Sequence, residues 1–568
     1  MKTPLNVLFI SIPPMTNDIK NQSDSTASFY VYPPIGVMSL MLKLYGQRFI
    51  GRLELLDFGT CDFPLFDNEV EWIDYINAKI RDVSRESSFD VVCISVMFSM
   101  SHEFFKIVVN EIHAVFNEAI FICGGFHPTN STAFIFNDIE CVDFIIRGEG
   151  EIALPNLLNE VYERTGKESV SSPFPQIKGV ISKYMFISGI KRDTSVDFSI
   201  ADTLKDIDLN FNFYPELFDM DFYTSNTSLF SLSTVDIHAK AFPIMASRGC
   251  PVQCAFCAAK TVHGLIPRWR TLENIREEII WLNKNYGVTK IYLMDDNFAP
   301  KAKAVELFEM LRDLPIKDLD IIIQNMSVNH TDYDIIDIIV QAGIKYLPLA
   351  IETGSIEMQK KIKKNCNLDK AVSLVNYAQQ RGLSVRCFYM IGFPGETISQ
   401  MQETIDFAVR VGADWSTFSV AVPFPGTEMY NEFAKSGYIR ESSQFWKAAS
   451  IRDRVFDTNE ITAEQLKRIA YEANLKVNFL NSPYITKKEY ENGKHVFENF
   501  LSAIDFHIFA YDSLRRINIE LGCVNEAQDI LLTMKNKYLT DPRARDFKQY
   551  FNLLDKNVVA FIESSNDG

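Results

Sequence analysis

Three cysteines fall close together in the run Arg248-Gly249-Cys250-Pro251-Val252-Gln253-Cys254-Ala255-Phe256-Cys257, with spacing C-x3-C-x2-C. Thiolates are soft ligands suited to iron–sulfur clusters or zinc. Gly249 and Pro251 bend the backbone so that the three can converge on one centre. Three ligands rather than four leave one metal position open for a substrate or cofactor. The rival reading is a structural zinc with His263, six residues past Cys257, as fourth ligand. Zinc motifs come as paired short spacings, and this pattern departs from them. The other cysteines stand singly; Cys366 and Cys523 read as ordinary buried thiols.

The elements around the cluster place it. From Phe242 onward, strand patterns alternate with helical ones: Pro243–Ser247, Lys290–Met294, Asp320–Gln324, Tyr346–Ile351, Ser384–Ile391 and Ser416–Val422 as strands. Between them lie helical stretches at 272–285, 302–311, 333–342, 368–381 and 398–411. Six such units predict a partial (β/α)6 barrel of the TIM type, with the cysteines just past its first strand, where barrels keep their active sites. Arg386, Cys387 and Tyr389 lie on the fifth strand, and period-two alternation puts Cys387 and Tyr389 on one face; packing is their first reading, and if that face is the lumen either is a candidate hydrogen-atom or proton donor.

Residues 1–165 show the same alternation: strands at 6–12, 53–57, 90–96, 119–123 and 142–146, helices at 35–45, 70–83, 103–116 and 152–164. This predicts a doubly wound, Rossmann-like α/β domain with ligand loops at the carboxyl ends of its strands. Residues 166–240 lose the periodicity and read as a connector. Gly179–Ile190 is expected to form a short hairpin, and Phe211, Phe213, Tyr214 and Phe222 to pack on a neighbour. After the barrel (241–440), residues 441–568 read as a helical C-terminal domain, with helices expected over Ala463–Phe479 and Lys494–Glu520.

The chain has 568 residues, 47% hydrophobic and 23% charged, enough for several cores without disulfide staples. Its net charge of −16 argues against a nucleic-acid binder, which needs clustered Lys and Arg. No window reaches the ~18 apolar residues of a membrane span. The amino-terminal run reads as a strand rather than a signal peptide, so a cytoplasmic location is expected.

Cys250, Cys254 and Cys257, with Phe256 before the last, resemble the motif of the radical S-adenosylmethionine enzymes. Met294-Asp295-Asp296-Asn297-Phe298, Ile351-Glu352-Thr353-Gly354-Ser355, Ile391-Gly392-Phe393-Pro394-Gly395-Glu396-Thr397 and Pro423-Phe424-Pro425-Gly426-Thr427 follow in matching order. Upstream, Tyr32-Pro33-Pro34-Ile35-Gly36, Gly124-Gly125-Phe126-His127-Pro128-Thr129 and Arg147-Gly148-Glu149-Gly150-Glu151 resemble the cobalamin-binding domain of one methyltransferase-like branch of that family. The likeness covers roughly residues 5–440.

The resemblance implies a [4Fe-4S] cluster on Cys250, Cys254 and Cys257, whose open iron takes S-adenosylmethionine. It implies contacts to that cofactor from Phe256, Asp296, Asn297, Gln324, Glu352 and Gly392. Read without a ligand, Glu352 is a barrel-mouth carboxylate paired with a nearby Lys or Arg. The same resemblance implies cobalamin contacts from Tyr32, Gly36, Ser95, Met97, Gly124, Gly125, His127, Gly148 and Glu149. The loop Asp57-Phe58-Gly59-Thr60-Cys61-Asp62 lacks the histidine of the cobalt-ligating Asp-x-His-x-x-Gly pattern, leaving His127 as the nearby candidate ligand.

The function implied is methyl transfer to an unactivated carbon of a small molecule or peptide, by way of a 5′-deoxyadenosyl radical and methylcobalamin. A flavodoxin- or ferredoxin-type electron donor is implied with it. The alternatives are a non-methylating enzyme of the same cofactors (ring contraction, oxidation or cyclisation) and a cobalamin-responsive sensor. A methylthiotransferase is disfavoured, because Cys61, Cys93, Cys123 and Cys141 do not form the second cysteine set of that branch.

Overall fold

The computed structural model describes residues 2–13, 33–59, 69–85, 88–164, 174–192, 198–226, 239–449 and 453–564. Tyr32 and Cys61 lie outside the described residues.

The first unit is a six-stranded sheet of β1 (Leu5–Ile12), β2 (Ile50–Asp57), β3 (Val91–Val96), β4 (Ile120–Gly124), β5 (Phe144–Ile146) and β6 (Val180–Ser182), in the order β2-β1-β3-β4-β5-β6. All pairings are parallel except β5 with β6. Helices Ile35–Leu44 and Gly150–Arg164 cover one face, and Glu69–Ser84 and His102–Val115 the other. Both faces are therefore buried, which is why the strands read as nearly continuous apolar runs. The hairpin expected at 179–190 does not form. Val180–Ser182 pairs with the β5 edge, and the chain then turns into helix Lys183–Arg192, with Lys183 Nζ donating to the carbonyls of Ile139 and Glu140.

In the connector, Phe211 and Tyr214 pack against Trp281, Phe213 against Tyr45, and the Tyr214 hydroxyl donates to Glu278 at 2.7 Å. Tyr223 donates to Asp57 Oδ2 at 2.8 Å. The connector thus ties the first sheet to the second unit through buried polar bonds.

The six expected parallel barrel strands are present: Ala241–Ile244, Lys290–Leu293, Asp320–Ile323 continuing as Met326–Ser327, Tyr346–Glu352, Ser384–Ile391 and Trp415–Val420. The third is broken at Gln324-Asn325, so the arc consists of a three-stranded and a four-stranded hydrogen-bonded sheet. Its helices start where capping chemistry dictates: Thr271, Asp332, Asn367 and Thr397 accept from the first-turn amides, the last in a capping box with Gln400.

The open edge of the arc is covered from the C-terminal region. Helix Ala463–Leu475 runs into a π-helical turn, Lys476–Leu480. There Asn478 bonds both the amide and the carbonyl of Ser416, and Asn474 does the same to Phe418. Two side-chain amides thereby serve as a substitute seventh strand. The single helix expected over Lys494–Glu520 is two, Tyr490–Ala503 and Ile508–Glu520. His507 breaks it, its Nδ1 accepting from Ala510 N as an N-cap. No helix among the described residues is long and apolar enough to cross a membrane.

Candidate active site at the barrel mouth

The cysteine loop is closed at its base by an antiparallel bridge that pairs Ser247 with Trp269 and Arg248 with Arg268. Gly249, at φ +92°, starts the loop; a Cβ there would lie 2.8 Å from Ile266 O, so only glycine fits. Gly249 N donates to Asp296 Oδ2, Cys250 N to Gly264 O, and Ala255 N to Ile362 O at 2.8 Å. Cys254 is buried, and that burial pushes its thiol up to about 12; burial raises Cys257 as well. Among the described residues, no three His, Cys, Asp or Glu side chains converge as they would on one metal ion. A structural zinc needs four ligands, and the loop supplies three thiols. His263, the fourth ligand of the zinc reading, instead bonds Glu149 through Nδ1 at 2.9 Å.

The second-strand loop supports this arrangement. Asp295 is buried, accepting from Ser247 Oγ at 2.6 Å and from the amides of Ala246 and Ser247. Burial nevertheless pushes its carboxyl up to about 7 against those hydrogen bonds. Asp296 holds the cysteine-loop backbone. Asn297 Nδ2 lies 3.6 Å from Cys250 Sγ and 3.1 Å from His330 Nδ1, while its buried Oδ1 has no partner among the described residues. Gln324 is half-buried at the strand break, and its neighbour Asn325 also carries a buried, unpartnered Oδ1. The unsatisfied Asn297 oxygen beside Cys250 fits a site that binds a polar ligand.

Glu352 ends the fourth strand at φ +75°, a left-handed state that costs a non-glycine residue about 1 kcal/mol or more. Its Oε1 lies 3.2 Å from Lys364 Nζ. Burial works against the Lys364 charge, but Glu352 and Cys254 hold its pKa above the usual value. The sequence reading missed Lys364, one of four lysines in Lys360-Lys361-Ile362-Lys363-Lys364.

In the fifth-strand loop, the amides of Gly392 and Phe393 both donate to Glu396 Oε2, at 2.6 and 3.0 Å. Burial pushes Glu396 up to about 7. Arg454 donates to Gly392 O, and a Cβ on Gly392 would strike Leu466 at 2.5 Å. The glycine therefore makes room for the C-terminal region. Phe256 packs against Phe393, at 5.8 Å between ring centroids.

Cys387 and Tyr389 take the packing alternative rather than the donor one. They alternate with half-buried Arg386, Phe388 and Met390, and they belong to the core shared with Leu374, Val375 and Ala408 of the outer helices. Both face the helical layer and act in packing. Met390, on the opposite face, packs in the same cluster as Phe256 and Phe393.

In the first unit, Gly36 lies in the first turn of its helix with open space where a Cβ would be. Ser95 is the penultimate residue of β3, and Met97, just past its end, is 55% exposed. Gly124 ends β4, and Gly125, at φ +104°, passes so close to Val96 that a Cβ would lie 2.6 Å from its carbonyl. A flat cofactor fits such a strand-end cradle of small residues and an exposed apolar side chain. His127 is a correction. It is 1% exposed, with Nδ1 bonded to Ser99 Oγ and Nε2 to His102, each at 2.9 Å; His102 in turn reaches Asp138. Burial holds both imidazoles below their usual pKa. With both nitrogens engaged, His127 has none left for cobalt. Glu149 is likewise consumed, by Arg268 at 2.6 and 2.7 Å and by His263; Gly148 clears space for Ile200.

Comparison with known proteins agrees with this architecture. Residues 244–408 match the family model of the radical SAM superfamily, and residues 27–158 that of the B12 binding domain. The chain is 24% identical over 488 residues to an uncharacterized methyltransferase of Pyrococcus horikoshii, covering 85% of this chain and 94% of that protein. It is 24% identical over 439 residues to the cytidylyl-2-hydroxyethylphosphonate methyltransferase of Streptomyces wedmorensis, covering 73% and 79%. Its fold is similar to that of the cobalamin-dependent S-adenosylmethionine radical enzyme OxsB, solved with aqua-cobalamin and S-adenosylmethionine bound: TM-score 0.58, 13% identity, 99% of this chain and 83% of that one. The chain therefore carries a radical SAM domain and a B12-binding domain and is a cobalamin-dependent radical S-adenosylmethionine enzyme, similar to methyltransferases, whose cofactors are a [4Fe-4S] cluster, S-adenosylmethionine and cobalamin.

Proposed function

We propose that the protein transfers a methyl group to an unactivated carbon of a small molecule or peptide. The observation that carries this reading is the direct contact between the two cofactor units at the ends where each binds its ligands. Asn130, past β4, donates to Thr261 Oγ1 in the segment after the cysteines at 3.0 Å, and Glu149, past β5, takes Arg268 and His263. Gly426, past the sixth barrel strand, clears space for Asn130. Methyl transfer needs a radical source and a methyl carrier within reach of one substrate carbon, and this juxtaposition supports it. The methyltransferase names of the relatives support it too.

When bound, the cluster and S-adenosylmethionine supply a 5′-deoxyadenosyl radical, and cobalamin supplies a methyl carrier. Cys250, Cys254 and Cys257 hold the cluster. Lys364 offers a buried cation to the carboxylate of S-adenosylmethionine, Glu352 orients Lys364, and Asn297 presents its free Oδ1 to the amino group. Phe256 and the Gly392 loop frame the adenine. Gly36, Ser95, Met97, Gly124 and Gly125 line the cobalamin face. The apolar packing of Phe256, Met390 and Phe393 keeps water from the radical. A flavodoxin- or ferredoxin-type protein delivers the electron.

The test is anaerobic reconstitution with iron, sulfide and hydroxocobalamin, then incubation with deuteromethyl-labelled S-adenosylmethionine, a reductant and a small-molecule extract. Both 5′-deoxyadenosine and S-adenosylhomocysteine, with a deuteromethylated product, are expected. 5′-Deoxyadenosine without S-adenosylhomocysteine moves the assignment to non-methylating radical chemistry. Neither product, in protein that holds iron, overturns it.

A further inference from the structure

Buried charges from both cofactor units meet at one point. Arg248, two residues before Cys250, donates to Glu151 Oε1 at 2.6 Å and to Ser39 Oγ at 3.1 Å, and Ser39 itself donates to Glu151 at 2.9 Å. Arg248 Nη1 is also 3.8 Å from Glu149. On the other side of the cysteines, Arg268 grips both oxygens of Glu149 and bonds the carbonyls of Leu204 in the connector and His263. Arg248 and Arg268 face each other across the bridge that closes the cysteine loop. Glu149 and Glu151 belong to the loop-to-helix junction past β5. Burial opposes the Glu149 charge, yet Arg268 and His263 bring its carboxyl down to about 2.

Desolvating two carboxylates and two guanidiniums stabilises a fold little, because the cost of stripping water offsets the attraction. What such a network contributes is direction. Planar guanidiniums accept carboxylates in few orientations, so each arginine fixes the angle as well as the distance of its partner. The residues gripped flank the three cysteines on one side and the strand-end loop on the other.

We propose that Arg248 and Arg268, through Glu151 and Glu149, are positioning residues that lock the cysteine loop to the cobalamin-binding unit, so that cobalamin in the first unit is felt as rigidity in the loop of the second. This rests on the reading that the strand-end loops of the first unit hold cobalamin. The residues touch neither cofactor and act through the backbone of Gly249–Arg268. Loss of the lock leaves both cofactors bound and uncouples them.

The experiment is hydrogen exchange followed by mass spectrometry on the cluster-loaded holoprotein, with and without hydroxocobalamin, reading peptides over 249–268. In the wild type, hydroxocobalamin slows exchange in that segment. Arg248→Met with Glu151→Met removes the pair without stranding a buried charge, and is expected to keep iron and cobalamin content while losing the cobalamin-dependent slowing. Arg248→Lys retains charge but not the two-armed geometry and is expected to restore part of it. Unchanged slowing in the double variant overturns the proposal, as does wild-type protein that binds hydroxocobalamin without any slowing. Wild-type protein that binds no hydroxocobalamin overturns the reading beneath it, and the proposal with it. Should the double variant not fold, Arg248→Gln with Glu151→Gln, which removes both charges while keeping side-chain size and polarity, provides the same comparison.

Discussion

Lys364 Nζ stands 3.2 Å from Glu352 Oε1, both side chains nearly buried, with Cys254 close enough to favour the lysine charge. A cation and an anion are thus set inside the barrel mouth, where each depends on the other.

Removing one partner strands the other. Lys364→Met leaves Glu352 unpaired and is expected to cost about 3–5 kcal/mol. Lys364→Met with Glu352→Gln is expected to recover most of that stability without recovering affinity for S-adenosylmethionine. Thermal melts and equilibrium dialysis of the labelled cofactor separate the two effects. Wild-type affinity in the double variant would show that the pair serves the fold alone.

Tyr389 gives the opposite expectation. Its hydroxyl is buried with only the weakly bonding Cys387 thiol beside it among the described residues. Tyr389→Phe is therefore expected to be neutral or stabilising within about 1 kcal/mol, and to leave 5′-deoxyadenosine formation unchanged. A large fall in that activity, measured anaerobically, would return Tyr389 to the lumen.

Asn478 holds both backbone groups of Ser416, at 2.8 and 2.7 Å. Asn478→Ala leaves them buried and unbonded, at about 1–3 kcal/mol each. A clear drop in melting temperature is expected, with faster amide exchange over Trp415–Val420. Exchange confined to the π-helical turn itself would show that the edge does not need the cap.

Asp295 makes stability depend on pH. Its folded pKa of about 7 lies above the usual carboxylate value, so the folded protein holds this proton longer than the unfolded chain. Its contribution is full at acid pH and is lost as pH rises through about 7, in total about 4 kcal/mol. Asp295→Asn cannot titrate, so the stability of the wild type relative to the variant should fall from pH about 4 to about 7 and level off above that. Glu396 and Asp57, whose values are also raised, slope the same way in both proteins and cancel. A gap independent of pH would show that Asp295 stays ionised throughout.

Much of this was legible in the sequence, because strand and helix periods are local. Ser384–Ile391 and Ile398–Val411 match their expected bounds, and other elements shift mostly by one to three residues. What period two could not tell was which face of Ser384–Ile391 looks inward. Both faces of a parallel barrel strand are buried, so Cys387 and Tyr389 looked as eligible as Arg386. Glycine was similarly mute about its neighbour. Gly148 and Gly392 were expected among the cofactor contacts, yet Ile200 and Leu466, both from chain far away in sequence, occupy the space where their side chains would be. Lys364 could not be told from the lysines beside it, since only the fold buries it. His507 ended a helix that charge and apolar spacing would have continued.

The interruption at Gln324-Asn325 has a mechanical consequence. Hydrogen-bonded ladders resist shear, and none runs from Asp320–Ile323 to the fourth strand; only the two-residue stub Met326–Ser327 reaches it. The arc therefore has a seam. Its three-stranded part, from whose first two strands the cysteine loop and Asn297 follow, can tilt against its four-stranded part, which carries Glu352 and Gly392, without tearing a ladder. A ligand held from both sides at once would act as a rivet across that seam.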